Sequence, residues 1–430
     1  MRLEVGVKPC TETGRELDTR GCKIPSSCGV RNRNVVVLLI AALAGLMVWS
    51  VRAQESTGEL NYDTRFKTVP LERLASGGPP PNGIPPLGFA QDAFGFPDTK
   101  AVNFETVAQA KIWLKPREPV IVLRLSADAA IVPLQVLVWH EIANFSLGKT
   151  PVAVTFCPLC NTAVVIDRRI PINAAMKARL KAVPSVPKPE GDFLTVTFGV
   201  SGLLYNSAMV MFDSATHTLW SQAIAEGIVG TLSSTELKVL PSQIMSFEAA
   251  SRAAPNSRVV SRNTGYSRHY GQNPYVGYDD ATNPPFLFKG PTDGRLPPKE
   301  RVVSLSLNGV DVAYPWSVLQ QRRVINDRVG VTPITVFWTP GTTSALNESS
   351  IADSRDIGAS GVFDRRIGNR LLTFEAVGNA WRDRETGSTW SLVGEAMVGP
   401  LKGQRLEPIA HTNHFWFAWA AFKPNTRIFK

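Results

Sequence analysis

The feature that most constrains this chain is an internal similarity between its two halves. The segment PVAVTFCPLCNTAVV at residues 151–165 aligns with PITVFWTPGTTSAL at residues 333–346. Further along, the pattern Asp-x-x-Thr-x-x-x-Trp-Ser occurs twice, beginning at Asp213 and at Asp383. Matches in the same order over such a length are typical of a duplicated unit. The sequence therefore predicts two tandem homologous repeats packed together.

Each repeat has the composition of a β-rich unit. The runs VAVTF and ITVFW are β-branched and aromatic, and proline or turn residues bound them. Helical patterns are confined to short stretches at 174–180 and 246–254. We therefore expect a mainly β fold with a minor α contribution, in which His217 is exposed at the tip of a hairpin turn.

The predicted organisation has five segments. A leader at 1–53 precedes an extended Pro/Gly-rich arm at 54–114. Repeat A covers 115–262, an aromatic connector covers 263–297, and repeat B covers 298–430. A chain of 430 residues is long enough for two such cores.

The leader predicts export. Residues 35–51 are continuously apolar or small, Arg31 and Arg33 precede them, and small residues stand before a cleavage position after Ala53. This pattern is typical of a secretory signal, and a run of this length also fits an uncleaved membrane anchor. Either interpretation sends the rest of the chain to the periplasm or outside the cell.

The charge pattern gives no reason to expect a nucleic-acid partner. The net charge is +10, and it falls to about +6 after residue 53, with no basic block or nucleic-acid motif. We expect the partner to be a small molecule or an envelope protein.

Four chemistry-bearing residues occur in repeat A and not in repeat B. The aligned pairs are His140/Arg322, Glu141/Arg323, Cys157/Thr339 and Cys160/Thr342. Groups that form one site are expected to be present or absent together. Residues found in both copies, such as Asn144 and Asn326, fit a scaffold role more simply.

The favoured interpretation of these residues is a transition-metal site. Two thiols in a Cys-Pro-x-Cys turn after a strand resemble a metal knuckle, and His140 would complete a Cys₂His set for zinc or copper. Glu141 would be a fourth ligand or a proton shuttle. The sequence alone does not decide whether the protein is an enzyme.

Further groups are expected near this site. Glu141 and Asn144 are the candidate catalytic residues, and an inserted loop with Tyr205, Asn206 and Ser207 is the candidate for cofactor or substrate contacts. The connector tyrosines fit either a ligand groove or ordinary packing.

Two other interpretations remain open. Cys157 and Cys160 could serve a thiol–disulfide oxidoreductase, although the following residues 161–167 read as a strand rather than the helix that lowers a thiol pKa. They could also form a small disulfide in a non-catalytic envelope module. His140, taken alone, equally fits a buried structural histidine.

Several longer motifs resemble one exported microbial family. They are FCPLCNTAVV at 156–165, FGVSGLLYNSAMVMFD at 198–213, LWSQ at 219–222 and WSLVGEAMVGPLKGQRLEP at 390–408. Together they resemble the family catalogued as domain of unknown function 3179, from about residue 77 to the C-terminus. The resemblance implies a β-rich exported body with WHE at 139–141 and CPLC as signature positions, and it implies no activity.

Overall fold

Strands dominate the computed structural model, which describes residues 59–430. The expected mainly β class with a minor helical part is confirmed. The predicted leader at 1–53, with its signal or anchor at 35–51, lies outside the described residues. Within the described residues, no helix is both long and apolar enough to span a bilayer.

We call the described residues before the connector at 263–297, that is 59–262, the first half and those after it, 298–430, the second half. Fifteen strands precede the connector within the described chain. They are β1 (Leu74–Ser76), β2 (Phe104–Thr106), β3 (Pro119–Leu125), β4 (Asp128–Pro133), β5 (Ile142–Leu147), β6 (Thr150–Cys157), β7 (Thr162–Asp167), β8 (Arg169–Pro171), β9 (Phe193–Thr195), β10 (Phe198–Tyr205), β11 (Ala208–Asp213), β12 (Leu219–Ser221), β13 (Glu226–Val229), β14 (Ser242–Ser246) and β15 (Arg258–Val260). They form sheets in the orders β1-β10-β11-β12-β13, β14-β3-β4-β15-β2 and β8-β9, while β5 to β7 join a sheet shared with the second half.

The remaining strands follow the connector. They are β16 (Arg301–Leu307), β17 (Val310–Pro315), β18 (Val324–Val329), β19 (Thr332–Thr339), β20 (Ala359–Asp364), β21 (Arg366–Ile367), β22 (Arg370–Leu371), β23 (Phe374–Val377), β24 (Ala380–Asp383), β25 (Thr389–Trp390), β26 (Ala396–Val398), β27 (Thr412–Phe415) and β28 (Arg427–Ile428). Three sheets consist only of these strands, in the orders β18-β19-β20, β21-β22 and β23-β24-β25-β26.

All described helices are short. The α-helices are α1 (Val107–Ala110), α2 (Leu134–His140), α3 (Ala174–Leu180), α4 (Phe247–Ala253), α5 (Trp316–Arg322) and α6 (Trp416–Ala420), and single 3₁₀ turns occupy Leu71–Arg73 and Ile351–Asp353. Helices α3 and α4 confirm the two helical stretches expected from the sequence. Helix α2 was not expected, because nearly all of its residues are buried and its sequence therefore shows no amphipathic period.

The same order of elements occurs before and after the connector. The series β3-β4-α2-β5-β6 corresponds to β16-β17-α5-β18-β19, element by element and with equal lengths. In the first hairpin Val120 lies opposite Pro133, and in the second Val302 lies opposite Pro315, which preserves the offset of 182 residues. Descent of the two halves from one duplicated unit stays a prediction.

A shared aspartate fixes a turn in each half. The Asp213 carboxylate accepts hydrogen bonds from the Thr216 backbone N–H at 2.7 Å and from the Trp220 indole N–H at 2.9 Å. Asp383 accepts the same two bonds from Thr386 and Trp390, at 2.6 Å and 2.8 Å. Buried carboxylates that are satisfied in this way hold the backbone of a turn, so this shared motif is scaffold.

The arm covers one sheet of the first half. The Thr68 N–H donates to Ile228 O at 2.9 Å, and Gly230 N–H donates to Phe66 O at 2.8 Å, so the arm pairs with the edge of β13. Arm residues therefore pack as an ordered layer on the sheet that contains β10 to β13.

His217 lies beneath this arm, so its expected exposure was wrong. Its side chain is fully buried, Nδ1 accepts the Asn61 backbone N–H at 2.9 Å, and Nε2–H donates to Asp92 Oδ2 at 2.9 Å. The Phe94 ring centroid lies 4.1 Å from the imidazole centroid. These partners come from a segment without periodicity, which is why the turn appeared open in the sequence.

Strand β27 joins the two halves. It pairs with β16 of the second half and, through Asn413 opposite Ala163, with β7 of the first half. This pairing produces a seven-stranded sheet in the order β28-β17-β16-β27-β7-β6-β5. Consequently all described residues belong to one compact unit.

Asn144 and Asn326 occupy equivalent positions and make equivalent bonds. Asn144 Nδ2 donates to Leu87 O at 3.2 Å and Phe198 O at 3.0 Å, and its Oδ1 accepts Phe198 N–H at 2.9 Å. Asn326 makes the corresponding pair of bonds with the backbone of Phe374. Because both amides bond to the backbone, the structure gives Asn144 and Asn326 a scaffold role, and the site role expected for Asn144 stays a prediction.

We predict that Asn144→Ala lowers the free energy of unfolding by about 2–4 kcal/mol, because it leaves buried backbone groups without partners. Urea denaturation of the purified protein measures the change. Asn283→Ala, which removes an exposed amide, is the control and changes the value by less than about 0.5 kcal/mol. An equal, small effect of both substitutions would contradict the scaffold role.

Candidate functional site

The two cysteines lie at a tight turn between β6 and β7. Cys157 is the last residue of β6, Cys160 lies in the turn, and Thr162 begins β7 opposite Cys157. Asn161 between them adopts a left-handed conformation with φ of 51°. Both cysteines are free thiols, 1% and 0% exposed, within the largest hydrophobic core. The turn therefore holds two reduced sulfurs beneath the surface.

Backbone donors surround the Cys157 sulfur. The N–H groups of Cys160 and Met209 donate to it, which favours its thiolate form. Burial has the larger effect and raises the pKa of the Cys157 thiol well above its usual value, and the adjacent Cys160 thiol raises it further. At neutral pH the thiol is therefore protonated, with hydrogen-bond donors already in place for a thiolate.

Glu141 follows helix α2 and directs its carboxyl into the same interior. Its backbone is left-handed, with φ of 57°, and is held by Glu141 N–H to Leu137 O at 2.7 Å and Phe156 N–H to Glu141 O at 2.8 Å. The residue is 6% exposed. Burial, and then the nearby Cys157, raise the pKa of this carboxyl well above its usual value.

A positive φ costs a non-glycine residue such as Glu141 about 1 kcal/mol of backbone strain. The backbone hydrogen bonds at the end of helix α2 hold Glu141 in this conformation. Glu141 thus supplies a neutral carboxylic acid beside a buried thiol. Such a group can donate and accept a proton without changing its net charge.

His140 is held by the arm and the connector. Its Nδ1–H donates to Pro85 O at 2.7 Å, and its Nε2 accepts the Tyr270 hydroxyl at 2.7 Å. Burial lowers the pKa of His140 to about 4, the bond to Pro85 opposes this effect, and Arg268 adds a small further decrease. The ring is therefore neutral, and both of its nitrogens are in use.

The three-ligand metal set expected from the sequence is not assembled. No group of three or more His, Cys, Asp or Glu side chains within 59–430 is arranged to hold a metal ion. His140 contributes no free nitrogen, so its assignment as a ligand with Cys157 and Cys160 is corrected to a structural role. The sequence could not reveal this, because both partners of the ring lie far away along the chain.

The inserted loop is divided between two roles. Asn206 and Ser207 form a two-residue hairpin turn, with φ of 51° and 63°. Asn206 Oδ1 accepts a bond from Arg73 at 3.0 Å, and the Tyr205 ring packs against Phe422. Tyr205 and Asn206 therefore hold the C-terminal region and the arm, whereas Ser207 contributes a buried hydroxyl without a hydrogen-bond partner among the described residues.

Two tyrosines of the connector belong to the site. The Ser207 hydroxyl lies beside that of Tyr278, and burial raises the pKa of Tyr278 and of Tyr275. Charges on Glu141 and Cys157 would raise the pKa of Tyr275 further, which places these groups close together. The tyrosine-rich connector was the sequence signal for these residues, and Met209 gave no signal because it contributes only backbone.

The second half has no counterpart of this cluster. Arg323 keeps the left-handed conformation of Glu141, with φ of 62°, but its guanidinium donates to Asn379 Oδ1 at 3.0 Å near the surface. Thr339 and Thr342 take the positions of the cysteines. The carboxyl and the two thiols of the candidate site are therefore present in the first half and not in the second.

Fold and site together define a mainly β protein with a buried dithiol and a neutral carboxyl at one end of a shared sheet. The family model described as "Protein of unknown function (DUF3179)" matches residues 93–426. The chain therefore belongs to this family, and the resemblance drawn from the motifs is confirmed. No curated protein and no solved structure matches the chain.

The buried state of His140 predicts a pH dependence of stability. Its folded pKa of about 4 lies below the ordinary 6.5, so the unfolded chain binds a proton first as the pH falls. The free energy of unfolding therefore decreases between pH 6.5 and pH 4, by about 3 kcal/mol from this ring, and is unaffected by it above pH 6.5.

We predict that His140→Gln removes this share of the slope, as measured by urea denaturation at intervals from pH 7.5 to pH 4. His269→Gln, which removes an exposed imidazole, serves as the control. An unchanged slope in His140→Gln would show that the ring is accessible to protons in the folded state.

Proposed function

We propose that this family member is an exported protein whose first half carries a dithiol–disulfide redox centre. Cys157 and Cys160 would be the redox pair, and Glu141 would relay protons. The single observation that carries the proposal is the position of a buried carboxyl beside two free thiols in one turn.

The arrangement of the thiols supports two-electron chemistry. Only two residues separate the cysteines, the Cys160 thiol lies 3.9 Å from Cys157 O, and its proximity raises the pKa of the Cys157 thiol. Oxidation removes two electrons and two protons and joins the sulfurs, while reduction restores both thiols. Because the pair is local, this change requires little movement elsewhere.

The carboxyl supplies what a buried thiol lacks. A thiol reacts as its thiolate, and burial opposes thiolate formation at Cys157. A neutral Glu141 can give a proton to a departing group with one oxygen and take the thiol proton with the other. The N–H groups of Cys160 and Met209 would stabilise the sulfur charge that develops during transfer.

A second candidate is binding of zinc or copper by the two thiolates. The N–H donors at Cys157 favour it, since such donors offset thiolate charge in metal knuckles. Glu141 would then be a third ligand after rotation of its side chain. The redox function fits the geometry better, because His140 is engaged elsewhere and the described residues offer no assembled third donor.

The leader supports a proposal about the compartment in which the protein acts and the partners available there. We propose that residues 1–53 direct export, either as a signal cleaved after Ala53 or as an anchor through 35–51. The centre would then act in the periplasm or outside the cell, on a small molecule or an envelope protein.

We predict a reversible dithiol–disulfide transition in the folded protein. Equilibration in dithiothreitol redox buffers, followed by alkylation and peptide mass measurement, should reveal one two-electron transition at Cys157 and Cys160 that Cys157→Ser and Cys160→Ser each abolish, independent of Cys10, Cys22 and Cys28. Glu141→Gln should slow oxidation by about tenfold or more, since an amide does not relay protons.

Glu226→Gln is the matched control, because Glu226 is a partly buried carboxyl of β13 with a raised pKa, outside the cysteine cluster. Thiols that stay reduced in every buffer would refute the redox function. Elemental analysis of the same samples tests the alternative: about one equivalent of metal, lost in Cys157→Ser, would favour metal binding.

A further inference from the structure

The cysteine turn lies beneath a cover formed by the connector. Tyr266, Tyr270, Tyr275 and Tyr278 pack against the core cluster that contains both cysteines. With exposed fractions of 1% and 0%, neither cysteine offers a surface to a macromolecule. A disulfide in another protein requires in-line approach of its sulfur to the attacking sulfur, and this cover blocks such an approach.

The cover is fixed at several points. Asp279 accepts bonds from Arg301 at 2.7 Å and from Ser344 at 2.6 Å in the interior. Asn273 N–H donates to Ser349 O at 2.8 Å, and Tyr270 is bonded to His140. The connector is thus attached to both halves, and displacing it breaks buried polar contacts that are costly to lose.

Two cavities lie along the strands of the cysteine turn, and neither cysteine lines either of them. The smaller, of about 20 Å³, is lined by Asn161, the residue after Cys160, and by Arg301, whose guanidinium is already bonded to Asp279. The larger cavity, of about 410 Å³, is lined by Asp167 and Arg169, at the opposite end of β7 from the cysteines. Neither of these two cavities provides a chamber at the sulfurs, so a reactant has to reach them between packed side chains, which favours a small one.

The lack of a cation among the described residues of the cluster also restricts the charge that a reactant can carry. Among residues 59–430, no lysine or arginine bonds to the Glu141 carboxyl or to either thiol. An anionic reactant would therefore enter a buried site without a counter-ion, at a large desolvation cost. The site favours an uncharged reactant.

We infer that the reactant of this dithiol is a small, uncharged hydroperoxide rather than a protein or peptide disulfide. This inference rests on the proposed redox function and adds the substrate class. A hydroperoxide is uncharged at neutral pH, is close to water in size, and reacts with a single sulfur atom.

The reaction balances with the groups present. The Cys157 sulfur attacks the terminal oxygen of the hydroperoxide and the O–O bond breaks; Glu141 protonates the departing oxygen and receives the thiol proton. The products are a sulfenic acid at Cys157 and an alcohol, or water from hydrogen peroxide. The Cys160 sulfur then attacks the Cys157 sulfur and releases water, so one hydroperoxide oxidises the pair to a disulfide.

The test compares two oxidants on the reduced, full-length protein. Hydrogen peroxide and glutathione disulfide are added separately at equal concentration. Because the full-length chain also contains Cys10, Cys22 and Cys28, mass spectrometry of proteolytic peptides after alkylation follows the loss of the Cys157 and Cys160 thiols specifically. We expect one equivalent of peroxide to form the intramolecular disulfide at least about tenfold faster than glutathione disulfide does. With Cys160→Ser, peroxide should leave a sulfenic acid at Cys157 that dimedone captures.

A guanidinium-unfolded sample provides the control for accessibility, and both oxidants should react with it. Equal or faster reaction of the folded protein with glutathione disulfide would overturn the hydroperoxide inference while leaving the redox function intact. Failure of both oxidants with the folded protein, together with reaction of the unfolded chain, would overturn both proposals. Formation of the disulfide without any dimedone-trappable Cys157 in Cys160→Ser would overturn the proposed order of attack.

Discussion

The pairing of β27 with β7 is the interaction on which the rest of this structure depends. It makes one sheet from strands of both halves, and Phe415 N–H donates to Cys160 O at 2.9 Å within the cysteine turn. Beside it, the buried His414 ring bonds to the hydroxyls of Thr162 and Thr412, each at 2.7 Å. The second half therefore holds the site in place although it contributes no reactive group.

The burial of the site between the two halves also determines the protonation of its acidic groups. Glu141, Cys157 and Tyr275 are acids whose pKa values rise on burial, and no cation among the described residues compensates them. In such surroundings the neutral forms persist, because each charge would be poorly solvated and would repel the next. Proton transfer within the cluster is thus favoured over release of a proton to solvent.

Local sequence patterns were sufficient for part of this architecture. The β class followed from β-branched runs, and the cysteine turn followed from its motif and its absence in the second half. The roles of His140 and His217 could not be predicted, because their partners belong to the arm and the connector, which have no periodicity. For Asn144 there were two indications in the sequence. Its presence in both halves, as Asn144 and Asn326, indicated a scaffold role, and this agrees with its bonds better than the site role suggested by its position near the cysteine motif.

The late position of β27 has a consequence for how the molecule matures. Thr162 and His414 are 252 residues apart, so their contact closes a long loop and forms only after β27 has been synthesised. Until then the Cys160 carbonyl lacks its partner in β27 and the edge of the sheet at β7 is unpaired there. Addition of β27 thus closes this edge, and the order of synthesis sets the time at which the cysteine turn is locked in place.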